Sequence, residues 1–211
     1  MNKKTAKVKC LSGYHSKWVE NRIKFILNYF NYDLTNKRIL ELGAHFGDIG
    51  GNLVNFGAQV TSVEGRPEHV NRGEKLYSKT KWRCVDLDIE EWGFENKYDI
   101  ILHLGLLYHL KNPDYYLIES QKRCDHFFLE SQVIDNSNEE ICKIKDPDGP
   151  EHGDGQGINA EAQLSVKYIE NRLDNFQRFD LKELGGGGHH YDWKAKNDNT
   201  YRNGRRRFWV A

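Results

Sequence analysis

The sequence predicts an α/β protein with an open, mostly parallel sheet, and three stretches carry that expectation. The run Ile39–Leu42 has the length of a buried strand and enters a glycine-bearing turn, Gly43 to Gly47. A β-branched run, Ala58 to Glu64, reads as a second strand that ends in an acid and Gly65. The run Tyr98-Asp-Ile-Ile-Leu-His-Leu-Gly105 is fully apolar over 100–102, as a strand covered on both faces should be. After the first turn, Asp48 to Phe56 reads as a helix, with Ile49, Leu53 and Phe56 on one face and Gly57 as its stop. Strand, turn and helix form the opening of a nucleotide-type unit, whose ligand lies at the carboxyl ends of the strands. Gly43 and Gly47 suit such a turn, because a residue without Cβ lets a ligand approach the backbone.

The turn discriminates between ligands. A mononucleotide phosphate loop needs G-x-x-x-x-G-K-[ST], which is missing. A dinucleotide turn needs G-x-G-x-x-G, and counting from Gly43 the second and third glycine places hold His45 and Asp48. Asp48 also puts a negative charge at the helix N-terminus, where it suits the dipole and repels a pyrophosphate. An adenosine ligand without phosphate fits better, and S-adenosylmethionine (SAM), with its positive sulfonium, tolerates an acid there. Glu64 lies about 20 residues beyond the turn, the spacing at which a carboxylate meets a ribose hydroxyl pair.

Glu41-x-Gly43-x-x-x-Gly47 resembles the first motif of the class I SAM-dependent methyltransferases, roughly E/D-x-G-x-G-x-G, with His45 in place of the middle glycine. Gly43-Ala44-x-x-Gly47-Asp48 is similar to the variant turn of FkbM-type sugar O-methyltransferases. Leu106-Leu-Tyr-His-Leu-Lys-Asn-Pro113 resembles the family segment in which L-Y-H-L follows the fourth strand and precedes a proline-started helix. The resemblance implies a Rossmann-like seven-stranded sheet with helices on both faces and the last strand antiparallel. It implies SAM as cofactor and S-adenosylhomocysteine (SAH) as product. Glu41, Gly43, Ala44, His45, Phe46 and Gly47 would cradle the cofactor, and Glu64, Gly65 and Arg66 would meet its ribose. Asp86 and Leu87 would hold adenine, with Asp88 as an alternative to Asp86. His103 and Leu104 would face the cofactor from the end of the fourth strand. Tyr108 and His109 would lie near the transferred methyl.

The rest of the chain divides around this core, within one methyltransferase domain spanning 1–211. Residues 1–36 read as a helical cap whose helix, His15 to Phe30, carries Trp18, Ile23, Ile26, Leu27 and Phe30 as an apolar stripe. Tyr14, His15 and Trp18 are substrate-side candidates. Residues 37–134 hold the SAM-binding core, including a helix from Arg66 to Tyr77 and a strand from Trp82 to Leu87. A helix from Asn112-Pro113 to about Cys124 and a strand from His126 to Ile134 complete it. Glu130 and Ser131, inside that strand, are expected to face a polar cleft or the strand's end. Residues 135–211 read as substrate-side loops and final strands. They comprise a polar, glycine-punctuated loop to Asn159, read as a lid or as plain surface, then a helix from Glu161 to Leu173 and a strand from Phe176 to Leu181. The segment Gly185 to Trp193 reads as a substrate-contacting insertion, and Arg205 to Ala211 as the final strand. His190-x-Asp192 copies part of an iron-binding spacing, but the pattern lives on other folds and no metal is expected.

Composition narrows the function. The 211 residues carry no formal net charge, which argues against sequence-independent nucleic-acid binding. No apolar run reaches the ~18 residues of a membrane span, and the N-terminus shows no secretion signal. The four cysteines lack a C-x-x-C pair and read as reduced thiols of a cytoplasmic protein. The D/N-P-P-Y/F/W run of amino-directed DNA methyltransferases and the Pro-Cys of cytosine C5 enzymes are both missing. The expected reaction is methyl transfer to an oxygen or nitrogen of a small molecule. His109 is the first candidate base, then His103, with His152, His189 and His190 reachable from loops. Relatives with L-Y-H-L also modify tRNA wobble uridine, quinones and sugars, so an RNA acceptor is the alternative, with Lys3, Lys4, Lys7, Lys9 and Arg205 to Arg207 as its basic rim. An NAD-binding oxidoreductase and a non-catalytic SAM-fold binding protein are the readings from other classes. The sequence sets no oligomeric state.

Overall fold

The structure is a computed structural model and describes residues 7–85, 87, 96–134, 139–145, 161–179 and 206–211. The apolar runs become five parallel strands: β1 (Arg38–Leu42), β2 (Gln59–Glu64), β3 (Lys81–Cys84), β4 (Tyr98–Leu104) and β5 (Cys124–Gln132). A separate antiparallel pair joins β6 (Cys142–Lys145) to β7 (Glu161–Leu164). β8 (Gln177–Phe179) and β9 (Arg206–Val210) complete a seven-stranded sheet of order β3-β2-β1-β4-β5-β9-β8. β9 runs antiparallel to both β5 and β8, as expected for the last strand. The order reverses between β1 and β4, which are paired from Ile39–Ile100 to Leu42–His103. A crevice opens at the carboxyl ends of strands on either side of such a reversal.

Strand alternation sorts the core into two layers. Ile39, Val60, Ile100, Leu102, Phe128 and Phe208 pack with α1 (Ser16–Tyr29) and α2 (Asp48–Val54). Leu40, Leu42, Ile101, Phe127, Leu129 and Trp209 pack on the other side with α4 (Pro113–Lys122) and α5 (Val166–Glu170). α3 (Pro67–Leu76) links β2 to β3. Local chemistry sets the helix starts. Pro113 opens α4 behind Asn112, whose side chain accepts the Tyr115 amide at 3.3 Å.

One expected element changes type. Glu161 to Leu173 does not form one helix: Glu161–Leu164 is β7, paired with Cys142–Lys145, and the helix begins only at Val166. Ala162 and Leu164 are buried on alternate positions, a strand period rather than a helical one. Ser165 ends the strand and starts the helix by accepting the Tyr168 amide at 3.1 Å.

Candidate active site

The crevice between β1 and β4 opens into a cavity of about 370 Å³, within the range of small-molecule sites. The turn after β1 forms one wall. Gly43 has φ +68°, and a Cβ there would sit 3.1 Å from Leu106, which lines the same cavity. Ala44 donates its amide to the Val63 carbonyl at 2.8 Å, which ties the turn to β2. His45, at the middle-glycine place, has φ +52° and therefore keeps the left-handed backbone of a glycine. Histidine is among the side chains found there more often than most. Its ring stacks on Tyr14 at 4.0 Å, which lays residues of the N-terminal segment over the turn. Burial first, then the neighbouring His69 and Arg66, pushes the His45 imidazole down to about 3, so it is neutral. Gly47 does not line the cavity; its φ is +76°, and a Cβ there would lie 2.4 Å from the Trp82 ring. Its lack of a side chain thus serves packing against β3 rather than ligand approach.

Three acids surround the turn. Glu64, at the end of β2, accepts the His45 amide at 2.8 Å and the Arg66 amide at 3.2 Å. A carboxylate has about four acceptor positions, so these bonds set its plane without exhausting it. Glu41 accepts from the Gly50 amide at 3.2 Å and the Ser62 hydroxyl at 2.6 Å. Burial raises its carboxyl to about 7 in spite of both bonds. Asp48 opens α2 and accepts from the Ser12 hydroxyl and the Tyr77 hydroxyl, and from the Ser12 amide at 3.2 Å. Asn52 clasps the same segment through the Lys9 amide at 2.8 Å and the Lys9 carbonyl at 2.9 Å. The N-terminus of α2 is therefore both negative and covered.

The end of β4 supplies the facing wall. Leu104, Tyr108 and His109 line the cavity, the last two from a 3-10 turn over Leu107–His109. His103 does not. It shares the parity of Ile101, points into the opposite layer beside Tyr116 and Phe127, and is 0% exposed. The expectation that it faces the cofactor or acts as a base is corrected by strand alternation: neighbouring residues of a strand face opposite ways. Burial holds its imidazole at about 3 and hence neutral.

The cavity also gathers Arg22, which the sequence did not single out, and Arg206, which it assigned to a basic rim. Arg22 of α1 and Arg206 of β9 line it and are 4% and 5% exposed, both paired with the fully buried Glu130 of β5. Arg206 and Arg207 are buried and form no basic rim. Glu130, expected at a polar cleft or the strand's end, is fully buried against Arg22 and Arg206. Glu130, a charged residue inside a strand, was the available signal. Trp18, Tyr14 and His15 line the cavity. Leu87, Gly65 and Arg66 line it too. Asp86, Asp88, His152, His189, His190, Arg205 and the Gly185–Trp193 segment lie outside the described residues. Among the described residues no group of three or more His, Cys, Asp or Glu is placed to hold a metal ion, and no helix is long and apolar enough to cross a membrane.

No protein-family model matches the chain, and no curated protein matches it in sequence. Solved structures do match in fold. The N-terminal domain of EvdMO1 with SAH bound aligns with a TM-score of 0.65 at 19% identity, over 90% of this chain and 79% of that one. A SAM-dependent methyltransferase from Clostridium acetobutylicum ATCC 824 aligns with a TM-score of 0.58 at 14% identity, over 93% and 90% of the two chains. Magnesium protoporphyrin IX methyltransferase (ChlM) from Synechocystis PCC 6803, with SAM bound, gives 0.57 at 13% identity, over 94% and 84%. The chain has the Rossmann-like fold of these methyltransferases.

Proposed function

We propose that this protein is a SAM-dependent methyltransferase that acts on an oxygen or nitrogen of a small molecule. The observation that carries this reading is Glu64: a carboxylate at the end of β2, oriented by the amides of His45 and Arg66, in the wall of a cavity at the strand-order reversal. The methyltransferase neighbours, with SAM or SAH bound, support it. SAM would supply a methyl group on a sulfonium, an excellent leaving group. Glu64 suits the ribose hydroxyl pair, the Gly43–Phe46 turn the amino-acid end, and Leu87 the adenine face. Glu41 braces the turn from beneath through Gly50 and Ser62. The covered, negative N-terminus of α2 speaks against a dinucleotide, whose pyrophosphate would need it open.

Catalysis then rests on positioning, because aligning two reactants removes much of the barrier to an in-line displacement. Tyr108 and His109 stand on the wall facing the turn, where an acceptor would enter. His109 would take the proton of a hydroxyl acceptor; an amine acceptor needs no base. Burial withdraws Arg206 and Arg207 from the basic rim that RNA would use. The test is incubation with methyl-tritiated SAM and two acceptor pools, one of small hydroxyl and amine compounds and one of tRNA. Label in the first pool is expected. Label in tRNA alone would overturn the small-molecule assignment.

A further inference from the structure

His69 stands in the first turn of α3, where its amide bonds the carbonyl of Arg66, the residue that starts the helix. Its Nδ1 lies 3.7 Å from Glu64 Oε1, within ion-pair range and beyond a hydrogen bond. The two side chains are only 14% and 10% exposed, so solvent screens the contact little. Two rings of the turn after β1 fix the imidazole: His45 at 4.3 Å and Phe46 at 4.5 Å between centroids. Arg72, further along α3, lies over Phe46 with Cζ 4.2 Å from its centroid. A helix start, a turn and a strand end thus converge on one carboxylate.

Glu64, His45 and Phe46 line the cavity, and His69 does not. What His69 does for the cavity it therefore does through them. The His45 amide holds Glu64 Oε2 and the Arg66 amide holds Oε1. The His69 ring stands on the Oε1 side, where its bulk limits rotation of the carboxylate. Nδ1 carries an N–H in one neutral tautomer and in the imidazolium, and in either form the N–H favours a negative oxygen beside it. At 3.7 Å it does so without occupying an acceptor position on that oxygen.

We propose that His69 is a positioning residue of the cofactor site: fixed by His45 and Phe46, it holds the Glu64 carboxylate in the plane that receives both ribose hydroxyls. This rests on the reading of Glu64 as the ribose-binding acid. The contrary is a purely structural role. Glu64 also stands at the N-terminus of α3, where a carboxylate suits the helix dipole and the Arg66 side chain makes no cap. A histidine that only braced that helix start would change stability and leave the ribose preference alone.

The test titrates adenosine and 2′,3′-dideoxyadenosine, which lacks both ribose hydroxyls, into the native chain, H69L and H69N. The native chain is expected to favour adenosine by about tenfold or more. H69L has similar bulk and no nitrogen, and is expected to narrow that preference about fivefold, the upper range for such a pair. H69N places an amide nitrogen near the position of Nδ1 and is expected to keep the native preference within about twofold. In an E64Q background, H69L is expected to change adenosine affinity by less than about twofold, because the charge it acts through is gone. An unchanged preference in H69L, an equal loss on both ligands, or a narrowing in H69N as large as in H69L overturns the inference and leaves Glu64 its role. If H69L does not fold, H69Q takes its place, since its nitrogen matches Nε2 rather than Nδ1, and the same narrowing or its absence decides. If the native chain binds no SAH, or does not prefer adenosine, the methyl-transfer reading of Glu64 fails first and the inference falls with it.

Discussion

Glu64 holds the His45 amide at 2.8 Å, so the end of β2 sets the shape of the turn that follows β1. One carboxylate thereby shapes the turn and faces the cavity. Glu64→Ala removes both roles. Hydrogen bonds to charged groups contribute about 1.5–3 kcal/mol each, so losing a ribose pair predicts a fall in SAH affinity of about 100-fold or more. Glu64→Gln keeps an oxygen acceptor and loses less. Calorimetric SAH titration of both variants checks the order.

His45 occupies a backbone region that suits glycine, with φ +52°. His45→Gly is expected to keep SAH affinity within about threefold, because glycine adopts that conformation without strain. His45→Val is expected to lose about 1–3 kcal/mol of stability, since a β-branched residue is strained there. Urea denaturation of the two variants separates backbone strain from loss of the Tyr14 stack, which both share.

His103 is buried, and neither ring nitrogen has a hydrogen-bond partner among the described residues. Its folded value of about 3 lies below the unfolded ~6.5, so the unfolded chain takes the proton first. Stability is therefore lost as pH falls from about 6.5 toward 3. His103→Leu should stabilise the protein by about 1 kcal/mol at pH 7.5 and by about 2 kcal/mol more at pH 5. His45 acts in the same direction and is unchanged in this comparison. Denaturation at the two pH values measures the gap, and an unchanged methyl-transfer rate would separate His103 from the chemistry.

Tyr77 fastens the N-terminal segment to α2. Its hydroxyl accepts the Leu11 amide at 2.9 Å and bonds Asp48. Tyr77→Phe is expected to cost about 1–2 kcal/mol, because the buried Asp48 loses a donor and the Leu11 amide its acceptor. Hydrogen exchange should quicken at Leu11 and Ser12 while the central strands stay protected.

The central unit was legible because its signals are local. Ile39–Leu42, Gly43 and Gly47 fall within one strand–turn–helix, Glu64 ends the strand that follows it, and L-Y-H-L with Pro113 marks the facing wall. What the sequence left open depends on contacts across the fold. The strand ending at Leu104 was recognised, but which of His103 and Leu104 faces the cavity follows from how the sheet's two layers are filled. Glu161-Ala-Gln-Leu164 is too short for its period to decide between strand and helix, and its pairing with Cys142–Lys145 decides it. The Arg206–Glu130 bond spans 76 residues and has no local signature, so Arg206 looked like surface charge.

The most direct measurement is a calorimetric titration of the purified protein with SAH, with NAD as control. A site shaped by Glu64, Gly43 and the covered start of α2 predicts SAH binding at about micromolar Kd and no heat from NAD. Binding of NAD without SAH would contradict the methyltransferase reading.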